Sequence, residues 1–178
     1  MVVWEEPEIK IQTGTWSGGK NVTVMFDSTE KHRYRLSVIW DATKPSCLFI
    51  MINPSTADAL QPDKTLNRCI GFAERNGYGS LEVVNLYSYR TKDIEELWES
   101  GQLNHPENDI RVKEAVRTAD NIIIAWGNDG AKNGKYLSVL KWIDEAGKTP
   151  YCLGKTARGM PKHPLYLSKE TEIEVYGE

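Results

Sequence analysis

The sequence predicts an α/β domain: a three-layer α/β/α arrangement around a central, mainly parallel four-stranded sheet, with an N-terminal antiparallel hairpin. Three observations predict it. Four apolar runs, "CLFIMI", "LEVVNLY", "NIIIAWG" and "PYCLG", are spaced through residues 47–154. The segments between them carry apolar residues at helical spacing. The first and third runs are continuous rather than alternating, as in strands covered on both faces. Regular alternation of strand and helix implies right-handed crossovers and parallel pairing. The 178 residues suit one domain. It divides into an irregular segment 1–20, a hairpin 21–40 and an α/β core 47–167.

The elements follow in order. Gly14, Gly18 and Gly19 read as breakers in the first segment. Residues 21–26 and 33–40 are rich in β-branched and aromatic residues and flank a polar stretch, 27–32, which predicts the hairpin. Arg33, Arg35 and Ser37 alternate with Tyr34, Leu36 and Val38, an ordinary half-buried strand or a stripe facing nucleic acid. A helix is expected over 62–76, where Leu66, Ile70 and Phe72 or Ala73 recur and Gly77 closes it. Residues 94–99 form a short helix. Pro106 opens a longer one to about Ala119, with Ile110, Val112 and Val116 apolar. A fourth spans 135–146, with Tyr136, Leu137, Leu140 and Ile143 on one stripe. An edge strand is expected near 173–176.

Composition narrows the class. Hydrophobic content of 40% and charged content of 26% are those of a soluble globular protein. No apolar run approaches the roughly 20 residues that span a bilayer. The first ten residues carry Glu5, Glu6 and Glu8 and no apolar core, unlike a signal peptide. Cys47, Cys69 and Cys152 are odd in number and far apart, which fits buried thiols in a reducing cytoplasm. No paired metal ligands and no cofactor motif occur, so neither metal nor cofactor is expected. A net charge of −3 argues against holding nucleic acid by bulk electrostatics.

In parallel sheets, ligands bind outside the carboxyl ends of the strands. Each predicted strand here ends in polar or special residues. After "CLFIMI" comes "NPST": Pro54 biases Asn53 away from the helical region and holds its amide at the strand tip. Asn53, Pro54, Ser55 and Thr56 therefore form either a ligand-facing loop or a turn with a helix cap. Asp58 and Asp63 are carboxylates or caps, Asp63 favouring the first turn of a helix. Asn85 ends the next strand, where a buried amide needs a partner; it reads a ligand or pins a neighbouring loop. Arg90 binds an anion bidentately or is solvated. Trp126 and Gly127 begin "WGNDGAKNGK", glycine-rich but lacking both G-x-x-x-x-G-K-[ST] and G-x-G-x-x-G. "LGKTARGMPKHPLYL" gathers Lys155, Arg158, Lys162 and His163, followed by Pro164, as an anion-contacting loop in an acidic chain.

Taken together, "RYRLSVIWD", "LFIMINPSTAD", "RCIGFAERNGYG", "VVNLYSYR", "PEND", "AWG" and "HPLYL" resemble an uncharacterised domain-of-unknown-function family of bacteria and phages. A strand plus "INP", a strand ending in Asn, a strand ending in "WG" and a late "HP" are also similar, in chain order, to the uracil-DNA glycosylase superfamily. That resemblance implies a glycosylase-like fold in which Asn53 positions water and Asn85 reads the base edge. His163 and Pro164 would contact base and phosphate. The chain departs from the pattern at Met51, which stands where the first motif has Gly, and in "HPLYL", which lacks the Ser of H-P-S.

The expected ligand is thus nucleobase-containing: a nucleotide, or single-stranded or damaged nucleic acid. The enzyme reading is N-glycosidic hydrolysis without metal, with Asn53, Asp58 and His163 catalytic and Arg158 or His163 stabilising the leaving base. Because a neutral amide cannot usefully accept a proton, Asp58 would have to supply any base function. The alternative is a non-catalytic module that sequesters or senses a nucleotide or modified base, for example a phage or bacterial defence factor. A structural domain without a ligand is the third.

Overall fold

The structure, a computed structural model, describes residues 2–4 and 8–177. Strands β1 (Lys10–Trp16), β2 (Lys20–Phe26), β3 (Arg33–Ile39) and β4 (Ser46–Met51) lead to helix α1 (Lys64–Arg75). Then come β5 (Ser80–Asn85), α2 (Ile94–Glu99), α3 (Pro106–Thr118), β6 (Asn121–Ile124), α4 (Lys135–Glu145), β7 (Pro150–Cys152) and β8 (Glu174–Val175). Short 3-10 turns occupy Asn128–Gly134 and Pro164–Tyr166.

All eight strands of the described residues join one mixed sheet in the order β1-β2-β3-β5-β4-β6-β7-β8. This corrects the expected sheet of four mainly parallel strands with a separate hairpin. β5, β4, β6 and β7 pair in parallel. The antiparallel pairings are β1 with β2, β2 with β3, β3 with β5 and β7 with β8. The hairpin is not an appendage, because β3 bonds directly to β5 along Leu36–Ile39.

The segment expected to be irregular contains β1. Gly14 lies mid-strand, paired with Val22. A Cβ there would sit 2.1 Å from the Ala59 carbonyl oxygen. The residue is glycine because the loop after β4 crosses it at backbone distance.

The pleat of β4 sorts its side chains. Cys47, Phe49 and Met51 join a core with Leu66, Cys69, Phe72 and Ala73 of α1 and with Val22, Val24 and Phe26 of β2. Leu48 and Ile50 join another with Val112, Ala115 and Val116 of α3 and Val139 and Ile143 of α4. Two expected stripe residues lie outside these cores: Ile110 is 50% exposed and Leu137 59% exposed. Val112 and Val139 take the inward positions instead.

Caps set the helix starts. Asp63 accepts from the Leu66 N–H at 2.8 Å, as expected of a cap. His105 accepts the Glu107 N–H through Nδ1 at 3.1 Å, just before Pro106. No helix among the described residues is long and apolar enough to cross a membrane.

Candidate functional site

A cleft of about 910 Å³ opens at the carboxyl ends of β4 and β6. Loops that follow different strands meet there. Asn53, Ser55 and Thr56 arrive after β4, Trp126 and Gly127 after β6, and His163 after β7. These expected residues share one rim.

Asn53 is held by its own amide. Its Nδ2 donates to the carbonyls of Thr91 at 2.7 Å and Pro54 at 3.0 Å. With both donor hydrogens engaged on backbone, Oδ1 is the group left for a ligand. Gly127 takes φ +66°, a conformation that L side chains rarely adopt, as the chain leaves β6. Its N–H donates to Pro161 O at 2.8 Å, tying this loop to the one that carries His163. Trp126 is buried beneath, its Nε1 without a partner among the described residues.

His163 is half-buried and its Nδ1 accepts from the Leu165 N–H at 3.3 Å. Burial pushes its pKa below the usual histidine value, against the opposing pull of the Asp63 and Asp129 carboxylates. The ring is therefore neutral near pH 7. With Nδ1 accepting, its proton sits on Nε2, making that atom a donor.

Other expected residues lie elsewhere. Asp58 does not line the cleft; its Oδ1 accepts the N–H groups of Leu60 at 2.9 Å and Gln61 at 3.1 Å. The carboxylate closes a local turn, so the base role assigned to it has no access to the cleft. Arg90 spends its guanidinium on the loop, donating from Nε to Ser55 O at 2.9 Å and from Nη2 to Thr56 O at 3.1 Å. It also covers the Phe26 ring at 5.0 Å, so this partly exposed guanidinium braces the loop and the ring and does not line the cleft. Pro54 is buried, and its carbonyl accepts from Thr91 N–H at 2.9 Å.

Asn85 is fully buried and outside the cleft lining. Its backbone carbonyl accepts from Asn108 Nδ2 at 3.0 Å, while Oδ1 has no partner among the described residues. Arg158 is exposed at the tip of a turn closed by Gly159 N–H to Thr156 O at 2.9 Å. Lys155, bridged to Pro161, and Pro164 are likewise absent from the cleft wall.

The cleft also brings in residues that alternation concealed. Arg33 lines it at 1% exposure. Phe26 pairs with Arg33 and Met25 with Arg35, so Tyr34 is the extra residue of a β-bulge. A bulge breaks the period of two and re-aims the side chain beyond it. Arg35 stays with the other face and pairs with Glu82 at 2.7 Å. Arg33 instead shares the face of Phe26, toward the loop after β4.

Among the described residues, the Arg33 guanidinium makes one hydrogen bond, from Nη1 to Ala57 O at 3.0 Å, and its Nε finds no partner. Burial lowers its pKa to about 10, with Asp63 opposing the drop and Arg90 adding to it, so the charge persists at neutral pH. Asp63, Asp129, Lys64, Lys92 and Thr91 complete the charged and polar wall. Among the described residues, no three His, Cys, Asp or Glu side chains gather closely enough to hold a metal ion.

No curated protein and no solved structure matches the chain. A family model does match it, over residues 33–165, a span that holds every cleft-lining residue except Tyr166. That family is described as "Protein of unknown function (DUF1643)", and the chain belongs to it.

Proposed function

We propose that the cleft recognises a nucleobase-containing ligand, a nucleotide or single-stranded or damaged nucleic acid, in a three-layer domain of uracil-DNA-glycosylase-like fold. One observation carries the reading: Asn53, Trp126 and His163 come from three strand-end loops to a single cleft. A base presents a flat face and an edge of mixed donors and acceptors. The cleft offers the exposed ring of Tyr166 at its mouth, a fixed acceptor at Asn53 Oδ1 and a donor at His163 Nε2. Arg33, Lys64 and Lys92 supply positive charge for a phosphate. The volume lies in the range of about 300–1,000 Å³ usual for ligand sites.

A second reading, N-glycosidic hydrolysis, is favoured by the carboxylates of Asp63 and Asp129 in the wall. Water would be held at Asn53 Oδ1. Its oxygen would bond to the sugar carbon as the carbon–nitrogen bond breaks. Its proton would pass to a wall carboxylate and the electron pair would leave on the base, where the His163 N–H stabilises it. Asp63 suits the acceptor role, because only its Oδ1 is used in capping α1.

The test measures binding and base release together. Wild type and Asn53→Ala would be incubated with uracil-containing and modified single- and double-stranded DNA and with free nucleotides. Binding without release, weakened by about 1–3 kcal/mol in the variant, supports the recognition module. Release that falls about 100-fold in the variant supports the enzyme. Neither binding nor release from any of these overturns both.

A further inference from the structure

We infer that the cleft continues along the outer face of α1 as a track for the phosphodiester backbone of a single nucleic-acid strand, an inference that rests on the nucleobase reading of the cleft. Two depressions extend it. Lys64, Asn67, Leu165 and Tyr166 line both the cleft and the first depression. Asn67 and Arg68 line both the first and the second, which ends at Arg75 and Lys169. From Lys64 to Arg75 the helix rises about 16 Å, long enough for several nucleotides of an extended strand.

The charge on this track is of one sign. Lys64, Arg68, Arg75 and Lys169 line it and, among the described residues, no Asp or Glu does, although the chain carries a net charge of −3. Among the described residues, Lys64, Arg68 and Lys169 form no ion pair. Arg75 donates to the carbonyls of Lys169, Glu170 and Thr171, which fixes the far wall. At the mouth, Tyr166 is 92% exposed, a ring placed for a base to stack on.

Gly71 points to the same occupant independently. It sits inside α1 and lines the second depression. Glycine weakens a helix interior, and here a Cβ would meet nothing within 4 Å. Among the described residues, no neighbour requires its absence. A strand backbone lying close against the helix would be such a requirement, one from outside the chain.

The experiment compares a fluorescent single-stranded oligonucleotide, the matching duplex, an acidic peptide and a mononucleotide. It uses wild type, Arg68→Gln/Lys169→Gln, Gly71→Ala and Asn53→Ala, with affinities measured across a salt series. The expected result is a single strand bound more tightly than duplex, peptide or mononucleotide. The double variant should lose at least about 10-fold for the strand. Its slope of log affinity against log salt should shrink by about 1.4, at about 0.7 per phosphate contact. Mononucleotide binding should not change. Gly71→Ala should melt higher yet bind the strand more weakly, which separates contact from folding. Mononucleotide binding with no gain for the strand, or an unchanged slope, overturns the track and leaves the cleft reading intact. Strand binding with the expected slope change that is unaltered by Asn53→Ala keeps the track and sinks the cleft. Preference for the peptide or duplex overturns the single-strand assignment.

Discussion

The side-chain amide of Asn53 donates to the Thr91 carbonyl at 2.7 Å, joining the loop after β4 to the chain beyond β5. The Pro54 carbonyl accepts from the same amide. An aspartate here would set a carboxylate oxygen against two carbonyl oxygens. Asn53→Asp is therefore expected to cost about 1–3 kcal/mol through lost donors and buried acceptors. Urea unfolding with an unchanged midpoint would show that the amide does not hold this loop.

Arg33 carries a buried charge with one hydrogen bond. Replacing a poorly paired buried ion with an apolar residue of similar size is often neutral or stabilising. Arg33→Met should keep or raise the melting temperature while weakening a phosphate-bearing ligand by at least about 10-fold, the equivalent of about 1.4 kcal/mol. Calorimetry on the same preparation reads both. Loss of stability together with unchanged affinity would make this arginine structural.

His32 is buried, with Nδ1 2.8 Å from Ser88 Oγ. Burial lowers its pKa to about 4, against the pull of Asp27. Above pH 6.5 the ring is neutral in both folded and unfolded chains. As pH falls below 6.5 the unfolded chain takes up the proton first, so stability declines until the folded ring titrates near pH 4. The difference in melting temperature between wild type and His32→Asn should change across that window and flatten above it. Parallel profiles would assign the acid sensitivity to other groups.

Gly14 and Gly71 give opposite outcomes for one substitution. Gly14→Ala forces a methyl onto the Ala59 carbonyl and should destabilise by about 1–3 kcal/mol. Gly71→Ala enters open space and should stabilise by up to about 1 kcal/mol. Equal effects in thermal melts would mean that the β1 contact with the loop yields.

The parts of the fold set by local period were legible in the sequence. The short helix is found at Ile94–Glu99, where the pattern placed it. Strand ends also pointed to the rim on which Asn53, Trp126 and His163 meet. Side-chain direction was not legible. Asn85 ends a central strand as Asn53 follows one, yet it lies buried beside Met51, its register partner, and does not line the cleft. Arg33 was assigned with Arg35 by simple alternation, and the bulge at Tyr34 separates them. β1 was missed because Gly14 reads as a breaker when the backbone it accommodates lies 45 residues further on.

The pairing of β3 between β2 and β5 bears on how the protein is handled. The family match begins at Arg33, the first residue of β3, and ends at 165, before β8. A fragment trimmed to those limits would strip a partner from each side of the remaining sheet. β3 would then offer a row of free amides and carbonyls beside a face from which Val22, Val24 and Phe26 had been removed. Such an open edge templates strand addition between molecules. Association or precipitation of that fragment would report on the cut, not on the biology of the intact chain.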